Sequence, residues 1–348
     1  MILLLGALAQ PEFADALGLQ GEVRVIHGKL EGGGGAGWRP GEWPALSRSD
    51  GTIAARAVEW TPELRRYSEI MGARPVDFDG QQVLGVADGV ALPGTAEASP
   101  DEIAALAAYL AGLDPTVSPD TMRTRMPLIH AWIGSRVRAM REASQKIGPD
   151  GSDRVAVEEW AEPYSRFFTV EEARLRHRLF NGGWSDPLQR AVFVSGDAAV
   201  LLPWDPVTDL VLVVTQFRAG PQIRGDAEPW LIETVAGRID PHETPEAAAI
   251  REAEEEAGIT IKRIVVGPHN YPSPGATAEY LYLFVGIADL PKAGMGHGGV
   301  ETEGEDIRTE IIPRARLSAM VQDGVVRNGP LIVLSLWLDA HAEALARA

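Results

Sequence analysis

The sequence predicts an α/β protein in which an α/β/α sandwich on a mixed sheet follows a smaller β-rich region. From residue 154 onward, short apolar strands alternate with a few helices, one of them rich in glutamate. Before residue 90, short apolar runs are broken by glycines and prolines, a texture typical of a small β-rich domain. Between these two regions, two helices are predicted.

The composition limits the classes of function. With 348 residues, the chain is long enough for two ordinary domains. A net charge of −17 argues against nucleic acid as a partner, because phosphates repel such a surface. No apolar run approaches the roughly 18 residues that a membrane span needs, so we expect no membrane partner. The chain has no cysteine, which excludes disulfides and thiolate zinc sites and fits the cytoplasm.

The N-terminal region offers two ambiguous segments. The apolar opening Met1–Ala9 resembles the core of a signal peptide, but no positive charge precedes it, so we interpret it as a buried first strand. The Gly32–Gly35 run resembles a phosphate-binding loop, but no Lys-Ser/Thr follows it. We therefore predict a flexible surface loop there.

The two central helices are marked by their capping residues. Ser99 and Glu102 form a capping box around Pro100, and an apolar stripe at helical spacing follows at Ile103, Leu106, Ala107 and Leu110. A second helix is predicted from about residue 118 to 145, and residues 148–152 have the composition of a linker.

The C-terminal region contains the strands of the predicted sandwich. The predicted strands are Ala198–Leu202, Leu210–Gln216, Leu231–Val235, Tyr280–Gly286 and Asp306–Ile312, and the predicted last helix is Leu331–Leu345.

The glutamate-rich helix is bounded by local signals. Thr244 is a good N-cap, Pro245 suits the first helical position, and Gly258 suits a left-handed C-terminal residue. The helix is therefore predicted over Pro245–Ala257. Its predicted buried stripe consists of Ile250, Ala253 and Ala257.

Three carboxylates share another face of this helix. Glu252, Glu255 and Glu256 are spaced i, i+3 and i+4, and like charges at that spacing repel. A hard divalent cation would turn the repulsion into attraction, because carboxylate oxygens are its preferred ligands. Arg251 can hold Glu243 and fix the preceding loop. A merely solvated acidic helix is the alternative for the glutamates taken alone.

The full pattern resembles the Nudix box at every fixed position, namely Gly237, Glu243, Arg251, Glu252, Glu255, Glu256 and Gly258. The resemblance implies hydrolysis of a nucleoside diphosphate linked to another group. It also implies Mg²⁺, with Mn²⁺ as an alternative, bound by the carboxylates of Glu252, Glu255 and Glu256 and by the carbonyl of Ala236.

A little over half of the chain resembles the bacterial ADP-ribose pyrophosphatases. The similar segments are 176–184, Val214–Arg218, Pro229–Glu233, Ser273–Gly275 with Glu279, and Glu303–Ile307. This implies ADP-ribose as the small-molecule nucleotide substrate, with AMP and ribose 5-phosphate as products. Another nucleotide-sugar or a dinucleotide is an alternative substrate. An ADP-ribose sensor without turnover is the alternative from another class of protein.

The same resemblance implies roles for further residues. Glu303 would be the general base, with Glu305 as its rival. Arg251 is counted with these catalytic residues, because it can hold Glu243 and fix the loop before the helix. Arg218 and Glu279 would contact the adenosine or diphosphate part of the substrate, with Ser273 nearby. Arg190 would reach across a homodimer, because the family exchanges N-terminal strands between subunits.

The beginning of the chain resembles the γ-glutamylcyclotransferase-like fold, on Leu5-Gly-Ala-Leu8 and Leu64-Arg-Arg-Tyr-Ser68. The family's catalytic glutamate corresponds to Ser68, so we expect this domain to be non-catalytic. The fusion also resembles tellurite-resistance-associated Nudix proteins. The predicted division is a cyclotransferase-like domain at 1–95, a helical connector at 96–150 and a Nudix domain at 151–348.

Overall fold

A computed structural model of the chain describes residues 1–89, 98–146, 154–166, 168–291, 295–299 and 306–347. The chain forms two compact units, Met1–Phe193 and Val194–Ala348. The predicted division at 95/96 and 150/151 follows changes in composition, a linker signal and likeness to families, and it stays a prediction.

The first unit combines two sheets and four α-helices within its described residues. Its helices are α1 (Pro11–Ala16), α2 (Pro62–Met71), α3 (Pro100–Gly112) and α4 (Pro119–Lys146). Its strands are β1 (Ile2–Leu5), β2 (Gly21–Glu31), β3 (Ala45–Val58), β4 (Val76–Phe78), β5 (Gln81–Leu84), β6 (Val155–Ser165), β7 (Thr169–His177) and β8 (Leu188–Val194). The first sheet has the order β2-β3-β1-β5-β4, and β6-β7-β8 form the other.

Three predictions for this unit are confirmed. Strand β1 is buried over its whole length, as expected for the apolar opening. Ser99 and Glu102 form the capping box of α3, each side chain accepting a hydrogen bond from the other residue's backbone N–H. The predicted apolar stripe of α3 is buried in the same core as β1, because the side chains at helical spacing face one side.

The glycine run after β2 was expected at the surface, and that expectation is wrong for two of its residues. Gly33 and Gly35 are buried. A β-carbon at Gly33 would lie 2.3 Å from the backbone nitrogen of Pro44, and one at Gly35 would lie 2.0 Å from an oxygen of Glu42. Glycine is needed here because the chain folds back on itself at close approach.

The β6–β7 ribbon is joined to helix α4 by a shared carboxylate. Glu171 of β7 accepts hydrogen bonds from the indole N–H of Trp132 and from Arg136, both on α4, at 2.8–2.9 Å. Its other partner is the indole of Trp160 on β6, at 2.9 Å. A half-buried carboxylate with four such contacts is stabilised in place. Side-chain hydrogen bonds therefore hold the β6–β7 ribbon against helix α4.

The second unit is built on one mixed sheet. Its strands are β9 (Ala198–Asp205), β10 (Leu210–Phe217), β11 (Trp230–Glu233), β12 (Val235–Arg238), β13 (Arg263–Val266), β14 (Leu281–Ile287), β15 (Met295–Gly298) and β16 (Ile307–Pro313). Its helices are α5 (Ala219–Arg224), α6 (Pro245–Ala257), α7 (Arg314–Gln322) and α8 (Gly329–Arg347). The main path of the sheet is β13-β14-β9-β10-β16-β15, with β11 paired to β10 and β12 paired to β9.

Each face of this sheet carries its own apolar core. On β9, Leu201 packs with the alanines of α6, whereas its neighbours Val200 and Leu202 pack with α8. The alternation follows from the two-residue period of a strand. With α6 on one face and α7 and α8 on the other, the predicted α/β/α sandwich is confirmed. Among the described residues, none of the helices combines the length and apolar character that crossing a membrane would need.

One predicted strand of this sheet is wrong. Leu231–Val235 was expected to be continuous, but the chain changes partner at Thr234, so that β11 and β12 lie in different parts of the sheet. Apolar periodicity could not show the break, because both strands follow the same alternation.

Candidate active site

The sheet of the second unit divides into two branches. Strands β9 and β10 pair at one end, through Leu210 and Val211. Farther along, β9 pairs with β12 and β10 pairs with β11. Thr234 lies between these two short strands, and its hydroxyl donates to the carbonyl of Leu201 at 2.6 Å. Residues 233–238 therefore pass from one branch to the other.

Helix α6 begins and ends where the sequence predicts. The Thr244 hydroxyl accepts from the backbone N–H of Ala247 at 3.1 Å, which satisfies an amide of the first turn. Gly258 has a φ of 62° and donates to the carbonyl of Glu254 at 2.9 Å. Both ends are thus set by local chemistry, and the predicted bounds are confirmed.

The buried side of α6 differs from the predicted stripe. Ala249 and Ala253 are buried against the sheet, whereas Ile250 is 43% exposed. The small alanine side chains let the helix approach the sheet closely. The residues that face the sheet are therefore shifted by about one position from the predicted stripe of Ile250, Ala253 and Ala257. As a result, Glu256 joins the buried side and is only 2% exposed.

The three predicted ligand carboxylates have different partners. Nη1 of Arg251 donates to Oε1 of Glu252 at 2.7 Å and to Oε2 of Glu255 at 2.9 Å. The carboxylate of Glu256 accepts from the backbone N–H of Ala236, on β12, at 3.2 Å. Arg251 therefore joins Glu252 and Glu255, while Glu256 contacts β12 separately, and the three-carboxylate metal site stays a prediction.

Arg251 also ties the preceding loop to the helix. Its guanidinium meets Glu243 in a two-pronged pair, with N–O distances of 3.0 and 3.1 Å, and donates to the carbonyl of Arg238 at 3.1 Å. The hydrogen bonds to Glu243 and the nearby charge of Glu252 raise the pKa of the Arg251 guanidinium, although its partial burial opposes the rise. The predicted Arg251–Glu243 contact is confirmed.

The donor set can be compared with the needs of a divalent cation. In the part of the chain that the structure describes, no three acidic, histidine or cysteine side chains are gathered closely enough to hold a metal ion together. The guanidinium of Arg251 lies between Glu252 and Glu255, so a positive group already bridges them. Mg²⁺ is also a cation, and it prefers oxygen ligands such as carboxylates. The residues present therefore fit such an ion in donor type and charge.

The backbone of Ala236 adds a further oxygen to this region. In an extended strand, the N–H and the carbonyl of one residue point to the same side. Because the N–H of Ala236 donates to Glu256, its carbonyl also lies on the side of the strand edge where Glu256 is found. This is the position that a backbone ligand would need.

A second polar cluster lies on the β10–β11 branch. Arg218, directly after β10, donates to both oxygens of Glu233, with N–O distances of 2.7–3.1 Å. Glu233 is buried and Arg218 is half-buried, so the pair is shielded from water on one side. A two-pronged pair of this kind holds the guanidinium in one orientation.

Glu279 lies within the electrostatic reach of this cluster. Burial raises the pKa of its carboxyl, and the charge of Asp197 adds to the rise. Arg238, Arg218 and a hydrogen bond from Ser195 oppose it without cancelling it. The structure therefore brings the predicted residues Arg218 and Glu279 into one neighbourhood.

Three residues of this neighbourhood were not singled out from the sequence: Asp197, Glu233 and Arg238. Asp197 and Glu233 are almost fully buried acids. A charged residue at the end of an apolar strand is a signal that could have identified both, because such a charge needs a partner once buried. Arg238 lies inside the recognised motif, but at a position where the motif does not fix the type of residue.

The remaining predicted residues lie elsewhere or outside the described chain. The carbonyl of Ser273 accepts from the backbone of Ala276 and Thr277 in a turn, and no described contact joins its side chain to Arg218 or Glu279. Arg190 is an exposed residue of β8, in the first unit. Glu303 and Glu305 fall outside the described residues, so their roles stay predictions.

Comparison with known proteins gives one family match, two similar sequences and one similar structure. Residues 194–327 match the family model of the NUDIX domain, a range that starts at the first residue of the second unit. The ADP-ribose pyrophosphatase of Escherichia coli (strain K12) is 40% identical over 182 residues, which cover 52% of this chain and 86% of that protein. The GDP-mannose pyrophosphatase of Citrobacter koseri is 33% identical over 155 residues, 44% of this chain and 79% of that protein.

A solved structure of an ADP compounds hydrolase aligns with a TM-score of 0.42 at 20% identity, covering 54% of this chain and 96% of that one.

Proposed function

This chain belongs to the Nudix family, and we propose that it hydrolyses the diphosphate bond of ADP-ribose to AMP and ribose 5-phosphate. The observation that carries the proposal is the 40% identity over 182 residues with an ADP-ribose pyrophosphatase, a match that covers 86% of that protein. In the reaction, the oxygen of water bonds to one phosphorus of the diphosphate. The bond between that phosphorus and the bridging oxygen breaks, and the other phosphate group leaves with the bridging oxygen. The proton of the water is taken up by a base.

We propose Mg²⁺ as the natural metal, with Mn²⁺ able to replace it. The residues that would hold it are Glu252, Glu255 and Glu256, with the carbonyl of Ala236. When bound, such an ion neutralises charge on the diphosphate and favours attack by water at phosphorus. Arg251 is a positioning residue, because it holds Glu243, Glu252 and Glu255 together.

The base and the substrate contacts follow from likeness to the family. We propose Glu303, or else Glu305, as the group that takes the proton of the attacking water. Arg218 would bind the diphosphate or the adenosine, and its pairing with Glu233 supports this role by holding the guanidinium in one orientation. Glu279 would accept from a hydroxyl of the substrate, with Ser273 nearby.

The decisive experiment offers a panel of nucleoside diphosphate derivatives to the full chain with Mg²⁺, and separates the products by chromatography. We expect kcat/KM for ADP-ribose to exceed that for GDP-mannose, dinucleotides and nucleoside triphosphates. A preference for any of these would assign the chain another substrate. Tight binding of ADP-ribose without turnover would make the protein a sensor.

We also propose that the protein is a cytoplasmic homodimer in which Arg190 reaches the site of the other subunit. Phe180, in the turn between β7 and β8, is completely exposed, and this supports a surface that a second subunit covers. The same part of the sequence contains three further aromatic residues. Phe167 lies outside the described residues, and Phe168 and Trp184 are half-buried. Sedimentation that finds a fully active monomer would contradict the dimer.

The cyclotransferase-like region is proposed to be non-catalytic. Ser68, at the position of the family's glutamate, is buried and donates its hydroxyl to the carbonyl of Leu64 at 2.6 Å. A serine hydroxyl engaged in this way cannot accept a proton near neutral pH. The core of this region is shared with α3 and α4, so the test uses the full chain. Release of 5-oxoproline from γ-glutamyl amines, abolished by Glu69→Gln, would contradict the proposal.

A further inference from the structure

An open cavity lies beside the C-terminal end of α2 in the first unit. Its volume is about 530 Å³, and cavities of about 300–1,000 Å³ are typical of small-molecule sites. One wall is a single face of α2 with its C-terminal glycine, at the spacing i, i+3, i+4 and i+7, and consists of Arg65, Ser68, Glu69 and Gly72. The other walls are Trp60, the segment 73–75 and the first turn of α4. The loop Leu5–Leu8, on which the likeness to the cyclotransferases depends, is not among the described lining residues.

The walls of this cavity are held in place by Arg123, on α4. Its guanidinium donates to the carbonyls of Glu69 and Ile70, near the end of α2, and to the carboxylate of Asp120 at 2.6 Å. The last carbonyls of a helix have no partner within it, so an arginine is a suitable donor for them. Trp60 is half-buried and packs against the core of the first unit. The cavity is therefore bounded by elements that are joined to one another.

Two further arginines line the cavity without an acidic partner. The guanidinium of Arg65 lies over the ring of Trp60, 4.9 Å from its centroid, and this contact through the face of the group leaves the N–H donors in its plane available. Among the described residues, neither the side chain of Arg65 nor that of Arg74 makes a hydrogen bond or an ion pair. Acids are plentiful in a chain of net charge −17, so two arginines left without one favour an anion from outside the chain.

The acids that line the cavity do not cancel its positive charge. Asp120 is paired with Arg123, and Glu69 is exposed at the side of α2. Three arginines and two carboxylates therefore line the cavity, which leaves an excess of one positive charge. Helix α4 begins at Pro119, also a lining residue, and the N-terminus of a helix carries a partial positive charge. An anion in the cavity would thus meet a positive field.

We infer that this cavity is a binding site for a small organic anion, whose phosphate or carboxylate group is held by Arg65 and Arg74. A guanidinium suits this role because its planar array of N–H donors matches two oxygens of either group at once. Trp60 and Pro75 line the same cavity and would contact the rest of the ligand. The region proposed to be non-catalytic would then have a role in binding.

The test measures binding to the full chain by titration calorimetry. The probes are AMP, which carries a phosphate, and citrate, which carries carboxylates, and adenosine is the neutral control. EDTA is present throughout, so that no divalent ion recruits an anion to the second unit. We expect at least one of the two anions to bind and adenosine not to bind. Binding of neither anion would overturn the inference. Because no turnover is measured, the result does not depend on the proposed hydrolysis.

Three variants then locate the bound anion. Arg65→Gln and Arg74→Gln should each weaken binding about tenfold or more, because a charge-assisted contact is lost. Glu69→Gln should tighten binding by about two- to fivefold, because a like charge beside the anion is removed. Arg24→Gln, an exposed arginine of β2 outside the cavity, is the control matched in charge and should leave binding unchanged.

Melting temperatures of the variants show whether each one folds. Should Arg65→Gln unfold because its contact with Trp60 is lost, Arg74→Gln decides alone, since the side chain of Arg74 makes no described hydrogen bond or ion pair whose loss would matter. Anion binding that stays within about twofold of the parent in Arg74→Gln belongs to another site and would overturn the inference.

Discussion

The carboxylate of Glu252 rests on the α-carbon of Gly237. A β-carbon at position 237 would lie 1.9 Å from Oε1 of Glu252, whereas ordinary contact begins near 3.4 Å. The glycine is therefore needed for space rather than for backbone conformation. It lets β12 and α6 approach until a carboxylate of the helix reaches the edge of the strand.

Gly237→Ala should lower turnover by about 100-fold, because the added methyl displaces the Glu252 carboxylate by more than 1 Å. The measurement is kcat at saturating Mg²⁺, together with the melting temperature. Gly329→Ala is the control, since a β-carbon there meets nothing within 4 Å. Parent-like turnover in Gly237→Ala would mean that Glu252 is not needed where the structure puts it.

Glu256→Gln should lower turnover by orders of magnitude and leave the fold intact. Glutamine can still accept from the N–H of Ala236, but it lacks the charge that a divalent ion needs. Glu254→Gln, on the exposed side of the same helix, removes one charge and should turn over normally. Near-normal activity of Glu256→Gln at saturating Mg²⁺ would remove Glu256 from the proposed metal ligands.

The base is expected to be Glu303. Glu303→Gln should lower kcat by about 10²- to 10⁴-fold with little change in KM, because a base acts mainly in the transition state. Glu305→Gln, two residues away, serves as the matched comparison. If only the Glu305 variant loses kcat, the two roles are exchanged.

Glu279 should make the stability of the protein depend on pH. Its pKa is raised by burial, so the folded protein binds this proton more tightly than the unfolded chain does. The ionised carboxylate therefore opposes folding above the raised pKa, and the cost disappears as the pH falls below the carboxyl's ordinary value. Glu279→Gln should raise the melting temperature at pH 7.5, and the difference from the parent should shrink toward pH 4. The exposed Glu254→Gln should show no such trend. A lower melting temperature for Glu279→Gln at pH 7.5 would show that its ion pairs outweigh its burial.

The sequence by itself determined helix α6 and its carboxylate face. Thr244 and Gly258 act on amides and carbonyls within a few residues, so their effect can be read from the chain alone. The spacing of Glu252, Glu255 and Glu256 is likewise a property of any helix. The helix in the structure has the predicted bounds for this reason.

Only the tertiary structure decided which face of α6 is buried and how the chain crosses between the sheet branches. The alanines, not Ile250, meet the sheet, because close packing rather than residue hydrophobicity sets the angle of the helix. The break at Thr234 depends on two different partner strands, and the cluster of Arg218, Glu233 and Glu279 joins three segments distant in sequence. Pairing of distant strands leaves no local trace in composition or periodicity, because each strand alternates in the same way whichever neighbour it has.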